Sequence, residues 1–110
     1  MADGIERRKL KRRVKRIPAV FTCGALSGTG HVKNLSKEGL FLRVDRLPDV
    51  GQAIRVVIQA SNGEKVEVVG TVRWTTAQLP NAETVSTGFG MVIQDPSEAY
   101  REFFEELLVT

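Results

Sequence analysis

The sequence predicts a small all-β domain that ends in one helix. Most of the chain after Pro18 consists of short segments in which apolar and polar residues alternate, which is the pattern of half-buried strands. Turn-forming residues separate these segments, among them Asn62-Gly63, a strong hairpin signal. Residues 100–108 instead repeat apolar side chains at helical spacing. The 110 residues are sufficient for one domain with a single core.

Six segments carry the strand pattern. They are Ala19–Gly24, His31–Leu35, Gly39–Val44, Ala53–Ala60, Lys65–Thr75 and Val85–Gln94. The glycine-rich segment Gly24–Gly30 is predicted to be a turn between the first two strands. Five or six short antiparallel strands favour a closed or nearly closed barrel, because closure removes exposed strand edges.

Alternation within the third, fourth and fifth strands predicts which residues face the core. These are Leu40, Leu42, Val44, Ile54, Val56, Ile58, Val66, Val68, Gly70, Val72 and Trp74. The periodicity therefore assigns Trp74 an inward position. Gly70 on the same face suggests a bend or bulge where the sheet curls into a barrel.

The last segment predicts a helix that closes one end of the barrel. Asp95 can cap this helix, Pro96 suits its first turn, and Glu98 lies three residues after Asp95. The apolar residues that follow share one helix face, namely Tyr100, Phe103, Phe104, Leu107 and Leu108.

Charge divides the chain into a basic arm, residues 1–16, and a mildly acidic body, residues 17–110. The arm contains eight Lys or Arg and two acidic residues, whereas the body contains eight basic and eleven acidic residues. An arm with so few apolar side chains is expected to stay mobile until a ligand docks on it. Its concentrated positive charge would attract phosphates.

Neither an enzyme nor a metal site is expected. The lone Cys23 reads as a buried thiol, and the only histidine, His31, has no Ser/His/Asp or Cys/His arrangement around it. No cofactor is predicted. The absence of a long apolar run argues against membrane insertion, and no apolar stretch follows the first positive charges, so a cytoplasmic location is expected.

Two short motifs carry the chemistry expected of a binding site. Arg12 and Arg16 form an Arg-x-x-x-Arg spacing before the first strand, and guanidinium groups bind phosphate oxygens or the O6/N7 edge of guanine in bidentate fashion. Asn34, Ser36 and Gly39 form Asn-x-Ser-x-x-Gly at a turn. Asn34 and Ser36 project from one face of the chain, and Gly39 would permit a positive φ and close approach of the backbone to a planar base.

The register of the first motif is open. Arg8 and Arg12 have the same spacing as Arg12 and Arg16. The second pair is preferred because Ile17 and Pro18 begin the strand directly after it.

Both motifs, in this order, resemble those of the PilZ family of bacterial cyclic di-GMP-binding domains. The resemblance covers about residues 6–108 and extends to Arg16-Ile17-Pro18, Gly39-Leu40-Phe41-Leu42, Val72-Arg73-Trp74, Gly88-Phe89-Gly90 and the closing helix. It implies a six-stranded antiparallel Greek-key barrel with a carboxyl-terminal helix. The ligand residues that it implies are Arg12, Arg13, Arg16, Asn34, Ser36, Gly39 and Trp74.

Three functions follow as hypotheses. The first is a cyclic di-GMP effector that couples nucleotide binding to a conformational change or to a downstream protein partner. The second is a protein-interaction domain of the same fold that does not bind the nucleotide. The third, nonspecific nucleic-acid binding by the basic arm, is disfavoured because the seven aromatic residues form no interleaved stacking platform in the sequence.

Overall fold

A computed structural model of the chain describes residues 17–60, 63–79 and 87–109, with the side chains of 108 and 109 excepted. The predicted basic arm, with Arg12, Arg13 and Arg16, lies outside the described residues. The elements are β1 (Ile17–Cys23), β2 (Leu26–Ser36), β3 (Gly39–Val44), β4 (Ala53–Gln59), β5 (Lys65–Thr75), β6 (Gly88–Ile93) and the helix α1 (Glu98–Val109).

The six strands form a closed barrel. They follow one another around it in the order β1-β2-β3-β6-β5-β4, and every neighbouring pair is antiparallel, including the β1–β4 pair that closes the ring. The predicted six-stranded antiparallel barrel with a carboxyl-terminal helix is therefore confirmed. Because β3 and β4 are not neighbours, the chain between them crosses one end of the barrel.

The predicted inward faces of β3, β4 and β5 supply half of the buried hydrophobic residues, and one predicted residue is an exception. The buried members are Leu40, Leu42, Val44, Ile54, Val56, Ile58, Val66, Val68 and Val72. Phe21 of β1 and Phe89 of β6 meet edge to face at the centre, with ring centroids 5.4 Å apart. The exception is Trp74, which is 41% exposed, whereas Thr75 is buried.

A bulge in β5 explains why the inward prediction for Trp74 is wrong. The ladder between β5 and β6 shifts between Val72 and Trp74, so that one extra residue enters β5 there. Alternation is reset by such an insertion, and the side chains beyond it change faces. The bulge does not lie at Gly70, where the sequence suggested it. Glycine occurs at position 70 because β5 and β6 are in close contact there, so that a β-carbon would overlap the carbonyl oxygen of Val92.

The prediction of a turn over Gly24–Gly30 is also wrong. The reversal needs only Gly24 and Ala25, and β2 already begins at Leu26. Gly24 has a φ of +61°, as a tight reversal requires. Gly28 and Gly30 are strand residues that allow close packing, because a β-carbon would collide with the ring of Phe21 at the first position and with the neighbouring strand at the second.

The helix α1 begins later than the sequence predicts. The Ser97 hydroxyl accepts a hydrogen bond from the amide of Tyr100 at 3.1 Å, so Ser97 takes the capping role predicted for Asp95. Asp95 has a φ of +49° and belongs to the preceding turn. Tyr100 and Phe103 are buried, and Phe104 and Leu107 pack against the core, which confirms the predicted apolar face up to Leu107. The side chain of Leu108 lies outside the described residues.

The Cys23 prediction is confirmed. The thiol is 3% exposed and donates weak hydrogen bonds to the Gln52 side chain and the Ala53 carbonyl oxygen, both at 3.3 Å. Burial, together with the negative charge of Asp49, raises its pKa. Within the described part of the chain, no helix combines the length and the apolar character needed to cross a membrane.

Leu42→Ala tests the central role of the inner face. Leu42 is fully buried, so we expect truncation to lower the free energy of unfolding by about 2–5 kcal/mol. Val69→Ala removes apolar atoms from the exposed face of β5 and should lower it by less than about 1 kcal/mol. Urea unfolding of both variants measures the difference, and equal losses would contradict the assigned core.

Candidate functional site

Two rows of residues cross four neighbouring strands on the outside of the barrel. The first row, in strand order β2, β3, β6 and β5, is Asn34, Phe41, Gly90 and Trp74. The second row is Ser36, Gly39, Val92 and Thr71. It lies two residues from the first row along β2, β3 and β6, and three residues from it along β5, where the ladder shifts register. With strands about 4.8 Å apart, each row spans about 14 Å.

A groove of about 470 Å³ lies over these rows. We call it the aromatic groove, and its lining includes Asn34, Leu35, Ser36, Gly39, Leu40, Phe41, Arg73, Trp74, Gly90, Met91 and Val92. The structure thus brings together four of the seven predicted ligand residues, namely Asn34, Ser36, Gly39 and Trp74. The other three, Arg12, Arg13 and Arg16, lie outside the described residues.

The aromatic part of the groove is a stacked pair formed across β6. The rings of Phe41 and Trp74 are nearly parallel, at 14°, with centroids 5.1 Å apart. They come from strands that flank β6, and they meet because β6 has no side chain beneath them. A β-carbon at Gly88 would press on the Phe41 ring, and one at Gly90 would press on the Trp74 indole. The Gly88-Phe89-Gly90 segment therefore leaves its outer face free for the two rings.

The polar part of the groove lies on β2 and at the start of β3. Asn34 and Ser36 are both exposed on the outer face, as predicted from their spacing. The Asn34 side-chain oxygen accepts a hydrogen bond from the Leu35 amide at 3.0 Å. That bond fixes the side chain and leaves the NH₂ group without a partner among the described residues, so it can donate to a ligand.

Gly39 plays a different role from the one predicted. Positive φ values occur, among the described glycines, at Gly24, Gly51 and Gly63, and Gly39 has none. A β-carbon at position 39 would lie 3.1 Å from the carbonyl oxygen of Met91 and 3.5 Å from Ser36 Oγ. A β-carbon here would be in tight contact with β6, and the missing side chain keeps the groove open beside Ser36.

The turn between Ser36 and Gly39 is held from below by the helix. The Tyr100 hydroxyl donates a hydrogen bond to the Ser36 carbonyl oxygen at 2.6 Å and lies 3.4 Å from that of Gly39. The Ile93 amide donates to the Glu38 carbonyl oxygen at 2.7 Å. Tyr100 is fully buried, and this burial raises its pKa. The polar motif is therefore anchored to α1 through one phenol.

Sequence reasoning missed three residues of this site: Phe41, Arg73 and Tyr100. An aromatic residue on the outer face of β3 was a usable signal for Phe41, because an exposed ring there needs a partner. A buried tyrosine hydroxyl needs a hydrogen-bond acceptor, which was a signal for Tyr100. Regular alternation also places Arg73 on the outer face, but the bulge that brings Trp74 out beside it had no signal in the sequence. Among residues 17–60, 63–79 and 87–109, no three potential metal ligands cluster.

Comparison with protein families gives one match. The family model described as the PilZ domain matches residues 6–109, which is nearly the whole chain. Searches of curated proteins and of solved structures returned no match.

Tyr100→Phe tests the anchor. At pH 7 the variant should unfold more easily by about 1–3 kcal/mol, because the part-buried hydrogen bond from Tyr100 to the carbonyl oxygen of Ser36 is lost. Ionisation of the phenol is disfavoured in the folded state, so the stability that the hydroxyl confers is lost as pH rises above its usual pKa of about 10. The difference between wild type and variant should therefore narrow above that pH. Urea unfolding at pH 7 and pH 10.5 measures it; a constant difference would contradict this role.

Proposed function

Because the chain belongs to the PilZ family, we propose that it is a cyclic di-GMP-binding effector domain. Domains of this family are binding and adaptor modules, and they generally bind this nucleotide. The observation that carries the proposal is the aromatic groove, in which the Asn34, Ser36 and Gly39 motif lies beside the stacked rings of Phe41 and Trp74. We further propose that it acts in the cytoplasm, where the nucleotide is a second messenger.

The chemistry of the groove suits a guanine nucleotide. The aromatic pair offers a flat apolar surface on which a base can stack, an interaction worth about 1–3 kcal/mol per base. At the other end of the same row, the Asn34 NH₂ can donate to a base edge. The exposed Ser36 hydroxyl can donate to a phosphate oxygen. A ligand with both bases and phosphates would use the whole width of the groove.

The position of β1 supports participation of the basic arm. Ile17 pairs with Val32, which precedes Asn34 by two residues on the neighbouring strand. Arg16 is attached directly to Ile17, and Arg12 is five residues away, a span of at most about 17 Å. Arg12, Arg13 and Arg16 are therefore tethered within reach of the groove, where they would hold the phosphates or a guanine edge.

Binding in this way would act as a switch. A nucleotide held by both the arm and the barrel favours the arrangement in which the two are joined, and so shifts the population toward it. The surface presented to a downstream protein partner then differs between the two states. Ordering of the arm lowers the affinity while enlarging the change that a partner can recognise.

Calorimetric titration tests nucleotide binding. We expect wild type to bind cyclic di-GMP with a Kd of about 1 μM or lower, which corresponds to a binding free energy of about −8 kcal/mol or more favourable. Ser36→Ala and Arg16→Ala should each weaken binding at least about tenfold, since each removes a hydrogen bond to a charged group. Ser27→Ala, which changes an exposed serine of β2 outside the groove, is the matched control and should bind like wild type.

Absence of heat with millimolar cyclic di-GMP would refute the proposal. A partner that is captured equally with and without the nucleotide would then favour a protein-interaction domain. A polynucleotide that binds in low salt and dissociates as the salt concentration rises would favour nonspecific association through the arm.

Two substitutions at Trp74 separate stacking from core packing. Trp74→Phe keeps an aromatic plane over Gly90 and should retain most of the affinity, whereas Trp74→Ala should weaken cyclic di-GMP binding about tenfold. Since Trp74 is 41% exposed, its removal should lower the melting temperature little. A large loss of stability with unchanged affinity in Trp74→Ala would assign the side chain to the fold and not to the ligand.

A further inference from the structure

The bulge in β5 has a definite geometry. Met91 and Gly90 are consecutive on β6, and they pair with Val72 and Trp74, so Arg73 is the extra residue on β5. In an unbroken strand, neighbouring side chains point to opposite faces. Here Arg73 and Trp74 are both exposed, and buried positions lie on either side of them at Val72 and Thr75.

The bulge therefore places two adjacent side chains on the same face, and both line the aromatic groove. Bulges of this kind re-aim side chains and are frequent beside binding sites. If the same sequence alternated regularly, Arg73 would face outward and Trp74 would enter the core. The extra residue brings a guanidinium group next to an aromatic plane.

Arg73 is also the source of charge in the groove. Among the described residues that line it, Arg73 alone carries a charge. Its side chain has no ion pair or hydrogen bond to any residue in the described ranges, in contrast to Arg55, which pairs with Glu67 at 2.8 Å. A cation with no counter-charge among the described residues of the groove wall favours an anionic group there.

We propose that Arg73 binds a phosphate of the nucleotide; the inference rests on the proposed function. Phe41 and Trp74 would hold the plane of a base, and Asn34 at the far end of the row would meet a base edge. The phosphate beside the stacked base would then fall at the β5 wall, within reach of Arg73. Because the bulge belongs to the barrel, this contact would come from a strand of the closed sheet and would involve no residue of the arm.

The test compares Arg73→Gln, Arg73→Lys and Arg46→Gln by calorimetry at two salt concentrations. Arg46 is an exposed loop residue outside the groove, so its substitution removes the same charge elsewhere. We expect Arg73→Gln to weaken cyclic di-GMP binding about tenfold at low salt, with a smaller salt dependence than wild type. Arg73→Lys keeps the charge and should lose less than about threefold, and Arg46→Gln should match wild type.

Each outcome decides the matter. If wild type binds and Arg73→Gln binds within about twofold of it at both salt concentrations, the inference is overturned while the proposed function stands. If wild type gives no heat, both are overturned. If Arg73→Lys loses as much as Arg73→Gln and the salt dependence of both equals that of wild type, the guanidinium recognises something other than a phosphate. Unchanged melting temperatures verify that the exposed substitutions leave the fold intact.

Discussion

The contact between Phe41 and Trp74 across β6 is the interaction on which the outer face of this barrel depends. It requires glycine at positions 88 and 90, because any side chain there would separate the rings. Glycine weakens a strand, and two on one strand is a substantial penalty. The inner face of the same strand compensates, since Phe89, Met91 and Ile93 are all buried. One short strand thus serves the core on one face and the groove on the other.

Two irregularities in the ladders frame the same row of residues. One shift lies between Val32 and Asn34 on β2, and the other between Val72 and Trp74 on β5. They bracket the row that runs through Phe41 and Gly90, at opposite ends of it. In both places two consecutive side chains are exposed, so a curved four-stranded surface presents more functional groups than regular alternation allows.

Much of the fold could be predicted from the sequence, because apolar and polar residues alternate regularly along most of the strands. Leu40, Leu42 and their counterparts on β4 and β5 recur at every second residue, which is the spacing of a strand and not of a helix. The errors have a common origin in backbone geometry. The sequence does not distinguish a glycine that allows close packing, as at Gly28, from a glycine that forms a turn. It also does not reveal the bulge that moves Trp74 to the outer face.

The candidate site was predictable in its local motif and not in its assembly. Asn34, Ser36 and Gly39 stand out by spacing alone, and the structure brings them together with Trp74. The contribution of Arg73 and Phe41 depends on which strands are neighbours, because β3 is distant in sequence from β5 and β6 and yet pairs with β6 in the barrel. Such pairings are fixed by closure of the whole sheet, which local propensity does not encode.

The Tyr100 phenol joins the helix to the Ser36–Gly39 turn, so it links the helix α1 to the edge of the aromatic groove. If a ligand in the groove moves the turn, the Tyr100 hydrogen bond would transmit that movement to α1. Under the proposed function, a protein that binds the helix in one position would change the affinity for the nucleotide by the same factor by which the nucleotide changes the affinity for that protein. Each partner is then an effector of the other.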